Sequence, residues 1–471
     1  MHTAKRSRYL EAVDAALEGA TVVTVNTRAA RHVIAGCDRR RVQSGASAWT
    51  TPDVLPFASW LQRTFRSAQL SGATSAVLLN RLQWRKLWER VMWDSTRASE
   101  LLRPTIAADA AIEAWSLLHA YGIRLSDSAF NVTSESRQFR QWARAVSREC
   151  ETSGWLDESR IPESLASVLA RVGHAVPAKL VVYGFDALTP QYLAFLNALR
   201  AHGVAVEGDS HREDSEIPDT SVRIDLPDGR SELTTAAAWA RGVLSENPEA
   251  NIGVVIPDLA SLRSAAEHVF SLTLHPAVVV ADSGERAFEI SVGLSLADWP
   301  LTRTALQALR FSADGLPFTE LRELLLSPYL AGAVFEASAR AQLVRELAAI
   351  ASEHVTRRDL QSLLSHKKLR AIDCPMLRAQ LERFRRACDR TADKAPFSAW
   401  TRLATESLEA LGWPGIRDGI RSLDSTEYQV FNRWNDLLSE ITSMDVIHGE
   451  VRFADAVGEI LRVAAGAVFA P

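Results

Sequence analysis

Short runs of β-branched residues alternate with long stretches of helical period along this chain. The first run is Thr21–Val25, TVVTV, which reads as a buried strand. A helix over Lys5–Leu17 precedes it. Asn26-Thr27 offers a cap for the next helix, which begins near Arg28. Strand, polar turn and helix make a βα unit of the kind that builds parallel sheets. From about Trp60 to Gly173 the period is helical. Trp84, Trp88 and Val91 share one face, as do Leu165, Val168, Leu169 and Val172, with Gly173 in the stop position. Leu180–Tyr183 returns to strand and is followed by a helix over Pro190–Arg200.

Gly203–Arg230 is polar and acidic and reads as a linker or surface loop. A helix over Glu232–Glu246, stopped by Asn247-Pro248, opens a second α/β unit. Ile252–Ile256, Pro276–Ala281 and Phe288–Val292 read as its strands, with a helix ending at Phe270 between the first two. After Trp299-Pro300 the pattern is helical to the end. The layout predicts an α/β chain, helix-dominated overall, with parallel-sheet lobes that carry large all-helical insertions. Residues 1–60 and 176–205 form the first lobe and 61–175 its insertion. Residues 206–230 are an acidic linker, 231–300 the start of a second lobe, and 301–471 a second insertion. The second lobe has only its first strands, so the chain is expected to stop before that lobe closes.

Composition narrows the class without naming a chemistry. A hydrophobic content of 47% and a charged content of 23% are those of a globular chain and exclude disordered and collagen classes. No apolar run approaches the ~20 residues that cross a bilayer, and the N-terminus lacks a signal-peptide core, so a cytoplasmic location is expected. Cys37, Cys150, Cys374 and Cys388 form no CxxC pair and are expected to be reduced and buried. His268, His275 and His366 stand alone, so no metal and no cofactor is expected. Eight of the 13 tryptophans lie between Trp49 and Trp155, a density that favours core filling over base stacking.

The segment Leu180–Leu199, LVVYGFDALTPQYLAFLNAL, has the outline of a nucleotide-hydrolysing strand without its chemistry. Such a strand needs adjacent carboxylates at its end, one for Mg²⁺ and one for the attacking water. Tyr183 and Gly184 occupy those places, and Asp186 is three residues too far along. No GxxxxGK[ST] loop occurs to cradle phosphates. No GxGxxG, HExxH or GxSxG sequence points to another enzyme class.

Leu180–Leu199 resembles the Walker B strand of UvrD-like superfamily 1 helicases. Thr21–Val33 resembles the strand and helix start that follow the phosphate loop there. Thr51–Phe65 resembles the next strand and helix, where family members contact single-stranded DNA. Asn247–Arg263 resembles the strand opening the second motor domain, with Pro257 and Asp258 where active helicases carry an arginine. Phe288–Arg310 and Leu324–Leu330 continue the order. Together these resemble the AddB-type family of helicase-like proteins with degenerate ATP sites. Within it, the resemblance is to bacterial DNA repair proteins that end in a PD-(D/E)XK, RecB-like nuclease domain. It implies P-loop-NTPase-like (RecA-like) lobes, DNA as partner, a helicase or nuclease subunit as a further partner, and double-strand break processing as the setting. No nuclease signature is present in this chain, which is therefore expected to be non-catalytic itself and to be a fragment.

Net charge is −4, so DNA contact must come from local basic patches. Arg137, Arg140, Arg144 and Arg148 share one helix face, with Phe139, Trp142 and Val146 opposite. Arg357–Lys394 carries 11 Lys/Arg against five acids, including Arg383, Arg385 and Arg386. Arg28 and Arg31, with the Arg39-Arg40-Arg41 run, are further candidates. The residues favour a non-hydrolysing DNA-binding scaffold. An active helicase with an unorthodox ATP site and a protein–protein scaffold without DNA contact remain the alternatives.

Overall fold

The computed structural model describes residues 8–95, 104–172, 176–208, 222–275, 288–389, 392–415 and 422–469. The chain divides into two compact units, Met1–Glu216 and Ile217–Pro471. It is helix-dominated, with a small four-stranded parallel sheet.

In the first unit, helix α1 (Arg8–Leu17) leads into strand β1 (Thr21–Thr24), and α2 (Thr27–Gln43) follows. The expected cap is in place: the Asn26 side chain accepts from the Ala29 N–H at 2.9 Å. Strand β2 (Val54–Pro56) runs directly into α3 (Phe57–Leu70). Two-residue strands β3 (Val77–Leu78) and β4 (Trp155–Leu156) bracket α4 (Arg81–Trp93), α5 (Pro104–Ala120) and α6 (Ser134–Ser153). Helix α7 (Ile161–Val172), strand β5 (Lys179–Tyr183), helix α8 (Pro190–Ala201) and strand β6 (Ala205–Glu207) complete the unit.

The four-stranded sheet has the order β2-β1-β5-β6 and is parallel throughout, with Val22 opposite Val54 on one side and Val181 on the other. Parallel sheets bury both faces, and this one does. Val22 and Val181 pack with Ala12, Val13, Ala30 and Val33 under α1 and α2. Val23, Leu180 and Val182 pack with Phe57, Trp60, Phe65, Leu165 and Phe195 under α3, α7 and α8. The tryptophans fill a second core in the helical region. Trp84, Trp88 and Trp115 meet at ring-centroid distances of 5.8–5.9 Å, and all three are buried. Trp93 is the exception, at 66% exposure.

Three strands of the first unit depart from expectation. β3 and β4 interrupt a region read as wholly helical, and β6 lies inside the stretch read as acidic loop. The 209–221 portion of that stretch, and Gly173, lie outside the described residues.

In the second unit, Gly229–Glu246 and Leu259–Leu274 are helices that pack through Leu233, Ala237, Ala240, Ala266 and Phe270. The strand expected at Ile252–Ile256 is not a strand. Ile252 and Ile256 pack on the two helices, but Asn251–Ile256 has no ladder partner among the described residues. β-branched composition marks a segment fit for a sheet, and a sheet still requires a neighbour. Phe288–Val292 likewise joins no ladder; it is held by Phe288 against Phe270 and by Arg263 Nε donating to the Val292 carbonyl at 2.8 Å. Pro276–Ala281 lies outside the described residues. Beyond Pro300 the unit is helical, as expected, apart from two short antiparallel pairs. Leu294–Ser295 pairs with Val468–Phe469, and Leu316–Pro317 with His354–Val355. No helix among the described residues is long and apolar enough to cross a membrane.

Candidate nucleic-acid interface

The sheet of the first unit has a topological switch point between β1 and β5. The chain leaves β1 through α2 toward β2 on one side, and leaves β5 through α8 toward β6 on the other. Ligands of open parallel sheets bind where such crossovers diverge, outside the carboxyl ends of the strands. The mouth here is formed by Val25, Asn26 and the start of α2, facing Gly184, Phe185 and Asp186. The Val25 N–H donates to the Tyr183 carbonyl at 3.2 Å, and Thr24 Oγ1 donates to the Asn26 carbonyl at 2.9 Å. Gly184 turns the chain with φ +82°, and its missing Cβ would sit 3.4 Å from Val25 Cγ1. Phe185 presents its edge to Phe57, centroids 6.1 Å apart. Burial raises the Tyr183 phenol above its usual range, and Tyr9 adds to the shift. Asp186 is exposed beyond the turn.

Arg28 and Arg31 are exposed on the first two turns of α2. Two of the three neighbouring arginines are spent on structure. Arg39 donates to the Tyr9 hydroxyl at 2.9 Å, and Arg40 pairs with Asp14, both tying α2 to α1. Pro257 and Asp258 belong to the second unit, where Asp258 precedes the Leu259–Leu274 helix and accepts from Ser261 Oγ.

Helix α6 carries the first basic face. Its N-terminus is closed by the Thr133–Ser136 capping box and its C-terminus by Gly154 in the left-handed region. Ala143, Val146 and Cys150 are buried beneath it, and Phe139 stacks on Trp88 at 6.1 Å. On the opposite side Arg137, Arg144 and Arg148 are exposed and Arg140 is half-buried. Arg137 donates to the Asn131 carbonyl at 2.8 Å, and Arg148 to the Arg144 carbonyl at 3.4 Å. Among the described residues none of the four forms an ion pair with a carboxylate. Glu149, the acid that breaks the series, points away and pairs with Arg90 of α4. Glu151 is the one exposed acid that helical spacing returns to this face, at its C-terminal end.

Three cations of the basic concentration in the second unit are paired with carboxylates. Arg385 pairs with Glu382 at 2.8 Å and Asp389 at 2.7 Å, and Arg386 pairs with Glu382 at 2.9 Å. Arg357 also pairs with Asp389, at 3.2 Å. Glu382, held by the Arg385 and Arg386 guanidiniums, is pulled down to about 2. Arg383 donates weakly to the Ala410 carbonyl, at 3.4 Å. Arg358, Lys367, Lys368, Arg370 and Lys394 are exposed there, and none of them pairs with a carboxylate among the described residues.

A polar network in the first unit escaped the sequence reading. Asp157 is 1% exposed and accepts from Trp115 Nε1 at 3.1 Å, from the Ser159 N–H at 3.0 Å and from Arg160 Nε. Arg160 also lies over the Trp115 ring, 5.5 Å from its centroid. Three sequence neighbours and one residue from a distant helix compose it, so no spacing pattern announces it. Its hydrogen bonds join α5 to the start of α7, a structural role. No group of three or more His, Cys, Asp or Glu residues suited to a metal occurs among the described residues. No family model matches the chain, and no curated protein matches it significantly.

Proposed function

We propose that this chain is a non-hydrolysing, helicase-like DNA-binding scaffold of a DNA repair or recombination nuclease system. The observation that carries the reading is the arginine face of α6: four guanidiniums on one helix side, without a paired carboxylate among the described residues. Guanidiniums spaced along a rigid helix are suited to phosphate oxygens.

The sheet supports the helicase-like part. The segments that resemble superfamily 1 strands, at Thr21, Val54 and Leu180, are neighbours in one parallel sheet with helices on both faces, as RecA-like lobes require. The non-hydrolysing part rests on residue chemistry. At the switch point β5 ends in Tyr183 and a left-handed Gly184, neither of which can hold Mg²⁺. The lobe then acts by geometry, holding DNA for a nuclease domain or partner subunit.

Binding of labelled DNA to the 471-residue chain at low and at physiological salt tests this reading. Binding that weakens steeply with salt, with no DNA-stimulated ATP turnover, is the expected result. Absence of binding at low salt removes the DNA function, and turnover removes the non-hydrolysing part.

A further inference from the structure

We infer that α6 binds the sugar–phosphate backbone of duplex DNA, in preference to single strands and without reading sequence. The inference rests on the DNA-binding reading above and specifies its ligand.

Three features of the helix lead there. The first is what its outer face lacks. Both aromatics of α6 are turned inward: Phe139 stacks on Trp88, and Trp142 lines a groove of about 820 Å³ between α5 and α6 with Leu117, Leu118 and Ile123. The arginine side offers cationic donors and no ring on which a base could stack. Single-strand binders draw about 1–3 kcal/mol per base from such stacking, and this face cannot supply it.

The second is rigidity. Capping at both ends and a buried inner face hold α6 as one continuous helix of 20 residues. At about 1.5 Å rise per residue, Arg137 and Arg148 stand roughly 16 Å apart along it. A fixed row of charges meets a fixed row of phosphates at little ordering cost, whereas a flexible strand must be ordered on binding. The third is charge density. Duplex DNA presents about one charge per 1.7 Å of axis from its two strands, and so rewards a charge-only surface more. Contacts of this kind position a protein on DNA and carry no base information.

The test compares a short blunt duplex of mixed sequence with oligo-dT of the same length, using the full chain. The duplex is expected to bind at least about tenfold tighter at equal salt. If all four arginines engage, the slope of log K against log salt is roughly −3.6. R140Q/R144Q, with folding checked by thermal melting, is expected to reduce that slope by about 1.8 and abolish the duplex preference. K367Q/K368Q, in the other unit, is expected to leave the preference unchanged. Equal or tighter binding of oligo-dT overturns the inference and leaves DNA binding standing. So does a duplex preference that survives R140Q/R144Q. Failure to bind either DNA removes both.

Discussion

Arg340 and Glu336 form an ion pair that is almost fully withdrawn from water, at 1% and 7% side-chain exposure. Arg340 Nε and Nη2 donate to Glu336 Oε2 at 3.1 and 3.0 Å, and Nη2 also donates to the Ala331 carbonyl at 2.8 Å. Glu336 in turn accepts the backbone N–H groups of Met376 and Leu377 at 2.7 and 3.0 Å. Those groups open the helix Pro375–Cys388, whose own N-cap residue, Cys374, makes no side-chain cap. A carboxylate about 40 residues away in sequence thus serves as that helix's cap. Removing one charge leaves the other buried without its partner, which costs about 3–5 kcal/mol. R340M is therefore expected to lower unfolding stability by that amount, and E336Q/R340M to recover part of it. Urea denaturation measures both. An R340M loss under about 1 kcal/mol contradicts the account.

Asp53 links β1 to the start of β2 and gives the first unit an acid-sensitive clasp. It accepts from Arg63 at 2.6 and 2.8 Å and from Thr21 Oγ1 at 2.7 Å. The Arg63 hydrogen bond, with a smaller contribution from Thr21, holds its carboxyl below the ordinary value, against the opposing effect of burial. A carboxylate depressed in the folded state stabilises fully above its unfolded pKa of about 4, and that contribution fades as pH falls through the folded value. Both partners are more than a third exposed, so the contribution stays within about 1 kcal/mol. Asp53→Asn should lower stability slightly at neutral pH and flatten the acid limb. Curves for the two proteins should converge at low pH. Parallel curves down to the acid transition would rule the clasp out.

Legibility in the sequence followed how local each cause is. β1 and β5 were evident because their β-branched runs are buried on both faces, and Asn26 was evident as a cap because capping acts within one turn. β6 was missed: Ala205–Glu207 offers a single partly buried valine, and its pairing with β5 is non-local. Ile252–Ile256 shows the reverse error, since composition fits a strand and no partner is supplied among the described residues. The arginine face of α6 was visible as a period. That Glu149 leaves this face for Arg90 could not be read, because the partners lie 59 residues apart. The pairing of Arg385 and Arg386 with Glu382 and Asp389 is local, three and four residues apart on one helix, and helical spacing makes it legible.

All four cysteines are buried, which turns them into reporters of unfolding. Burial pushes the Cys150 and Cys388 thiols up to about 11, against the opposing pull of Arg160 and Arg357 respectively. At pH 8 only about one part in a thousand of either is thiolate, and the thiolate is the nucleophile. A water-soluble thiol reagent is expected to leave the native protein unlabelled and to label four thiols in denaturant. Rapid labelling of Cys150 under native conditions would mean that α6 separates from its core.

Gly184 follows the last residue of β5, and its backbone explains the glycine. With φ +82° it lies in the left-handed region, which costs other residues about 1–2 kcal/mol. Space is not the obstacle: an added Cβ would make ordinary contacts, 3.4 Å to Val25 Cγ1 and 3.7 Å to Ala29 Cβ. The cost of substitution is therefore conformational, and it should follow tolerance of positive φ and not side-chain volume. Gly184→Asn is expected to be the mildest change, Gly184→Ala to lose about 1–2 kcal/mol, and Gly184→Val to lose more. Thermal melting of the three variants measures the order. An alanine variant as stable as the parent would show that the turn relaxes freely. The expected order would mean that placing a carboxylate here by G184D strains the end of β5, so the turn and a carboxylate side chain compete for one position.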